Sequence, residues 1–253
     1  MRKRLIVANW KMQPGSAAEA RLLFGKLKRS GSKQGNVETV ICPPFPYLGL
    51  FAHAGTTRVS LGAQDAFWQN SARVTGAVAP EVLHDLGVAY VIVGHSERRA
   101  LGETDEETAK KTAAVIKEGM QAILCIGERE RDADGRYFDF LKHELRSSLS
   151  GIQRRQLTDL IIAYEPIFTI GKSARDALNP RDIREMSIFI RKVLSDMYEP
   201  DVAAAVPILY GGSAEEANTP AILLEGGVAG LLVGHASLDA EGFGKMLKTA
   251  NAL

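Results

Sequence analysis

Short apolar, β-branched runs alternate with longer amphipathic stretches along the whole chain. The runs are Leu5–Ala8, Val37–Ile41, Val59–Gly62, Tyr90–Val93, Gln121–Cys125, Leu160–Ala163, Pro207–Leu209 and Gly230–Val233. Brief, continuously apolar segments bounded by polar or glycine-rich turns predict buried strands. Between them, Ala17–Lys28, Tyr47–Ala54, Ala79–Leu86, Thr104–Glu118, Phe138–Leu149, Pro180–Met197, Ala214–Leu224 and Leu238–Thr249 carry helical spacing. Thr104-Asp105-Glu106-Glu107 fits a capping box, and Pro80 and Pro180 stand where a first helical turn accepts proline.

Strands apolar on both faces and separated by helices belong in a parallel sheet covered on both sides. Eight such units in roughly 250 residues fit a closed (β/α)8 barrel, the TIM barrel architecture, better than an open doubly wound sheet. No low-complexity tract, Pro/Ser-rich linker or compositional break interrupts the pattern, so residues 1–253 are expected to form a single α/β domain.

The polar residues fall in one kind of place. Asn9 and Lys11 follow the first run, Gln64 and Asp65 the third, and Gly94-His95-Ser96-Glu97 the fourth. Glu128 follows the fifth, Glu165 the sixth, Gly211-Gly212-Ser213 the seventh and Gly234-His235 the eighth. In a parallel barrel these carboxyl ends converge on one face, where catalytic groups sit.

Within that set, Ala163-Tyr164-Glu165-Pro166 is the most informative stretch. The proline stops the strand and holds Glu165 extended. A lone carboxylate beside apolar walls is poorly hydrated, which suits a general base. The following residues, Ile167 to Ala174, are too apolar for an idle loop and too broken for a strand, and are expected to form a lid. Lys11 is either a surface lysine with its stem on Trp10 or a point charge aimed at an anion. His95 is either a turn cap or an electrophile. A helix beginning at Ser96 would favour its neutral form, which can donate a hydrogen bond to a carbonyl. Ser96 and Glu97 are expected to support the site from behind, Glu97 by orienting Lys11. The two glycine turns, the second opening a helix, can direct backbone N–H groups at one phosphate. The charged run from Glu128 to Arg136 is expected to be a solvated approach to a helix, with Glu128 itself available to brace the site.

Composition narrows the function without naming it. Hydrophobic residues make up 45% and charged residues 24%, enough for a sizeable core. A formal net charge of +1 leaves no electrostatic footprint for nucleic acid or an anionic membrane. No run approaches membrane-spanning length, and Leu5–Ala8 is too short for a signal-peptide core, so a cytoplasmic location is expected. Cys42 and Cys125, without CxxC spacing, are expected to be buried reduced thiols. There is no HxH, HExxH, P-loop or GxGxxG, so neither a metal nor a nucleotide cofactor is expected. The residues alone reach proton transfer beside a carbonyl on a small phosphorylated molecule.

Asn9-Trp10-Lys11, Gly94-His95-Ser96-Glu97-Arg98-Arg99, Cys125-Ile126-Gly127-Glu128, Ala163-Tyr164-Glu165-Pro166 and Tyr210-Gly211-Gly212-Ser213, in that order, resemble the triosephosphate isomerase family. The likeness runs from Leu5 to Leu238. It implies an isomerase of glycolysis and gluconeogenesis, interconverting dihydroxyacetone phosphate and D-glyceraldehyde 3-phosphate through an enediolate. By that resemblance Glu165 is the base, His95 the electrophile, and Asn9 and Lys11 stabilise developing charge, Lys11 also near the phosphate. Backbone N–H groups of Gly171, Ser213, Gly234 and His235 would hold the phosphate. The family also implies a homodimer through the loop Gln64–Val78. Alternatives are a phosphometabolite-binding barrel that has lost turnover and a metal-dependent sugar-phosphate epimerase, the latter lacking its metal ligands here.

The chain departs from the family pattern in three places. Phe168-Thr169 and Gly171-Lys172-Ser173 replace the usual lid residues, and the segment from Ala174 to Asn179 is slightly longer. His235 puts a Cβ where the family has glycine. Ala77 replaces a carboxylate, removing an ion pair expected with Arg98.

Overall fold

Leu5, Val7 and Asn9 share one face of the first strand and Ile6 and Ala8 the other, because side chains alternate along extended backbone. This alternation, repeated eight times, produces two separate hydrophobic clusters in the computed structural model, which describes residues 3–71, 73–170 and 177–253. One contains only strand residues, among them Leu5, Val7, Val40, Ile92, Ile123, Ile161 and Leu209, and fills the inside of a barrel. The other joins the opposite strand faces to the surrounding helices.

The strands are β1 (Arg4–Asn9), β2 (Val37–Cys42), β3 (Val59–Ala63), β4 (Val88–Val93), β5 (Gln121–Ile126), β6 (Leu160–Tyr164), β7 (Ile208–Tyr210) and β8 (Gly230–Val233). They form a closed barrel in sequence order with every pairing parallel. Leu5 pairs with Glu38 on one side and Gly230 on the other, which closes the ring. Parallel neighbours cannot be joined by tight hairpins, so helices return the chain across the outside. They are α1 (Ala17–Gly31), α2 (Phe45–Leu48), α3 (Pro80–Asp85), α4 (Ser96–Ala100), α5 (Asp105–Lys117), α6 (Arg136–Ser148), α7 (Pro180–Met197), α8 (Pro200–Ala205), α9 (Thr219–Glu225) and α10 (Ala240–Ala252). No described helix is long and apolar enough to cross a membrane.

The predicted strands recur within two residues at either end, and the capping box at Thr104 forms as read. Three helical expectations need correction. The Tyr47–Ala54 stretch begins earlier, at Phe45, and tightens into a 3-10 turn at Gly49–Phe51. The stretch Ala214–Leu224 is helical only from Thr219. The Asn218 side chain ties down the preceding turn, accepting from the Glu215 N–H at 2.8 Å and donating to the Ser213 carbonyl at 3.0 Å. Leu238–Thr249 is split at Asp239, whose carboxylate accepts the Glu241 N–H at 3.0 Å and starts α10 afresh. Helix α8 has no counterpart among the expected elements. The expected lid from Gly171 onward lies outside the described residues. Before it, Ile167–Thr169 form a 3-10 turn.

Cys42 and Cys125 are free and buried in the barrel interior, and burial pushes both thiols up in pKa. Barrel closure depends on one close approach. A Cβ on Gly230 would overlap the Leu5 carbonyl. Gly230→Ala is therefore expected to cost about 3 kcal/mol by overpacking and to lower Tm by several degrees. Gly15→Ala, at a position with nothing within 4 Å, is the control and should leave the melt unchanged.

Candidate active site

Continuing the β6 alternation past Ile161 and Ala163 turns Glu165 into the barrel mouth. Its backbone prolongs the sheet: the Glu165 N–H donates to the Ile126 carbonyl at 2.8 Å, and the Gly211 N–H to the Tyr164 carbonyl at 2.7 Å. Gly127 makes this possible, since a Cβ there would overlap the Glu165 carbonyl. Glu165 is only 2% exposed, yet both carboxylate oxygens are engaged. Oε2 accepts the Ser96 N–H at 3.0 Å, and Oε1 lies 3.1 Å from His95 Nε2.

His95 comes from the end of β4 and caps α4. Its Nδ1 accepts the Glu97 N–H at 3.2 Å. A ring nitrogen that accepts carries no proton, so the neutral imidazole bears its hydrogen on Nε2, the atom aimed at Glu165. Lys11 follows β1 in a left-handed conformation with φ 53°, which a side chain rarely adopts. Two contacts hold it there. Its N–H donates to Asn9 Oδ1 at 3.1 Å, and its carbonyl accepts from Gln64 Nε2 at 2.8 Å. Lys11 Nζ lies 2.6 Å from Glu97 Oε1. On another side it approaches Gly234, where an added Cβ would sit 3.7 Å from Nζ.

Asn9, Lys11, His95 and Glu165 line one cavity of about 650 Å³ at the carboxyl ends of the strands. Ser213, Gly234 and His235 line the same cavity, with Lys11 beside the Gly234 turn. Of the expected site residues, only Gly171 falls outside the described part of the chain. Ser96 and Glu97 stand behind the cavity wall in the contacts above. Arg98, which the sequence expects to lack the partner replaced by Ala77, sits 3.2 Å from Asp65 and 3.4 Å from Glu103 within its own chain.

The arrangement brings together a buried carboxylate, a neutral N–H donor and a fixed ammonium around a space sized for a small molecule. It provides an acceptor for a C–H proton, a donor for an adjacent carbonyl, and positive charge for the oxyanion between. The family model of triosephosphate isomerase matches residues 4–250 of this sequence. The chain belongs to the triosephosphate isomerase family. Among its relatives, the triosephosphate isomerase of Moorella thermoacetica is 41% identical over 96% of this chain and 97% of its own length. That of Roseiflexus castenholzii is 39% identical over 96% of each chain, and that of Syntrophotalea carbinolica 39% over 98% of each.

In the run from Glu128 to Arg136, Arg129, Glu130, Ala133, Asp134 and Arg136 are exposed as expected, and Glu128 stands apart from them. Glu128 is not solvated: it is 1% exposed and accepts at Oε1 from Tyr164 Oη at 2.7 Å and Arg131 Nε at 2.9 Å. A further carboxylate went unnoticed in the sequence. Glu144 of α6 accepts the Gly127 N–H at 2.8 Å and lies 3.4 Å from Arg99 Nε, bracing from outside the glycine that carries the Glu165 carbonyl. Seventeen residues separate it from Gly127, so no local spacing announces the pair.

Burial pushes the Glu144 carboxyl up from 4.5 to about 7, against the opposing pull of Arg99 and the Gly127 N–H. With its folded pKa above its unfolded one, Glu144 contributes stability that is full below about pH 4.5. That contribution is lost as pH rises through about 7. The expected loss between pH 5 and 8 is on the order of 1–3 kcal/mol. Denaturant midpoints measured across this range should fall for the native chain and stay flatter for Glu144→Gln.

Proposed function

We propose that Glu165 is the base through which this chain interconverts dihydroxyacetone phosphate and D-glyceraldehyde 3-phosphate. The observation that carries this reading is the 3.1 Å approach of the Glu165 carboxylate to the protonated nitrogen of a neutral His95, within a cavity that also holds Lys11. Substrate enters with its carbonyl oxygen replacing the carboxylate as the acceptor of the His95 Nε2–H. Freed, Glu165 removes the proton from C1 and returns it to C2. His95 polarises the carbonyl and moves protons between the two enediolate oxygens. Asn9 and Lys11 stabilise the charge that develops on them.

The phosphate is held by backbone N–H groups of Gly171, Ser213, Gly234 and His235, with Lys11 nearby. At position 235 the N–H does the binding, so the imidazole that replaces the family's glycine leaves phosphate binding intact. The segment after Pro166 excludes water while the enediolate exists, which prevents loss of phosphate. Glu97 supports this chemistry through Lys11, and Ser96 through its N–H to Glu165. The reaction uses no cofactor, and residues 1–253 act as one domain.

The working form is a cytoplasmic homodimer through the loop Gln64–Val78. Apolar side chains in the segments after β1, β3 and β4 support this: Met12 is 90% exposed, Val74 49% and Leu101 80%. Exposed apolar groups gathered on one end of a barrel mark an association surface. In size-exclusion chromatography the native chain should elute at twice the mass of one chain, and Val74→Asp at the mass of one.

Glu165→Ala should lower kcat by about 10²- to 10⁴-fold with either triose phosphate, the usual contribution of a positioned base. Turnover unchanged by that substitution would sink the assignment.

A further inference from the structure

Directly behind Glu165 lies a charged cluster that the chemistry above does not use. Tyr164 precedes the base and, by the alternation of β6, points out of the barrel. Its hydroxyl donates to Glu128 Oε1 at 2.7 Å and accepts from Arg131 Nη2 at 3.0 Å. Arg131 Nε donates to the same Glu128 oxygen at 2.9 Å. The guanidinium also lies 5.8 Å from the centre of the Phe168 ring, within cation–π range. Glu128 reaches the same segment through its backbone, whose carbonyl accepts the Ile167 N–H at 2.9 Å. Its other carboxylate oxygen is buried with no hydrogen-bond partner among the described residues.

Two features separate this cluster from an ordinary ion pair. A buried pair is a poor source of stability, since desolvation cancels most of its attraction. One guanidinium here touches both flanks of the base: Tyr164 one residue before it and Phe168 three residues after. Glu165 itself has a short reach to its partners, and a misplacement of about 1 Å at such a group can cost roughly 100-fold in rate.

We propose that Arg131 is a positioning residue for Glu165, holding the carboxylate at its working distance from His95 by clamping Tyr164 and Phe168. The proposal rests on Glu165 being the base. It is separable from that reading, because Arg131 is probed with Glu165 intact and a native chain that turns over is its reference. Arg131 does not touch substrate and acts only through the backbone on either side of the base.

The test uses the full chain and three variants: Arg131→Met, Arg131→Lys and the double variant Arg131→Met/Glu128→Gln. Steady-state kinetics give kcat and KM with both triose phosphates, and thermal melts give Tm. Arg131→Met should lower kcat by about tenfold or more while KM stays within about twofold, since the phosphate contacts are untouched. Arg131→Lys keeps the charge without the fork and should recover part of kcat. The double variant removes the orphaned carboxylate charge, so Tm should return toward the native value while kcat stays low. A double variant that regains kcat together with Tm would reduce Arg131 to charge neutralisation and overturn the proposal. So would Arg131→Met with native kcat. Should Arg131→Met fail to fold, the double variant decides between the two outcomes.

Discussion

The site depends on one constraint: the backbone of Glu165 must continue the β6 ladder past the last formal strand residue. Period-two alternation then aims its side chain into the barrel, in line with Ile161 and Ala163. The N–H bond to the Ile126 carbonyl fixes this register, and the missing side chain at Gly127 permits it. A one-residue slip would send the carboxylate outward and Tyr164 inward. His95 is placed by another strand and meets Glu165 only if this register holds.

Around this point the structure gives these charges partners, some in pairs and some in shared clusters. Lys11 is neutralised by Glu97, Glu128 by Arg131, and Lys111 by Asp65 and Glu103. Arg99 is shared between Asp105 and Glu144. Buried charge without a partner would be costly, and each pair lies beyond the cavity wall or at its edge. The carboxylate of Glu165 is opposed inside the cavity by a neutral ring. That ring offers its Nε2 hydrogen to the carboxylate at 3.1 Å.

The fold was legible because the strands are largely apolar on both faces and all but β2, which runs into Pro43-Pro44, end in a polar or glycine turn. That combination reports parallel pairing and a shared face without any long-range information. Glu165, His95 and Lys11 were legible for the same reason, as polar residues one or two places past a buried strand. What escaped depended on side chains far apart in sequence or on backbone shape. The stretch Ala214–Leu224 reads as helix from its alanines and glutamates, but the Asn218 side chain satisfies the turn's backbone groups and delays the helix to Thr219. The positive φ of Lys11 leaves no trace in composition. Arg131 was hidden among alternating charges, where only its three-residue spacing from Glu128 hinted at a pair.

The contacts of Glu165 also explain how a buried carboxylate, the base on the proposed reading, is kept satisfied. An empty apolar mouth would leave the carboxylate, the Ser96 N–H and the His95 Nε2–H each without a partner, at a cost of about 1–3 kcal/mol apiece. Here they satisfy one another at 3.0 and 3.1 Å. A substrate carbonyl that takes the His95 hydrogen exchanges one acceptor for another, so His95 loses nothing on binding. The carboxylate oxygen so released has given up one of its two partners at a position only 2% exposed, and is open to accept from the bound molecule. On the proposed reading of Glu165 as the base, binding would therefore free its carboxylate at the moment a C–H lies within reach.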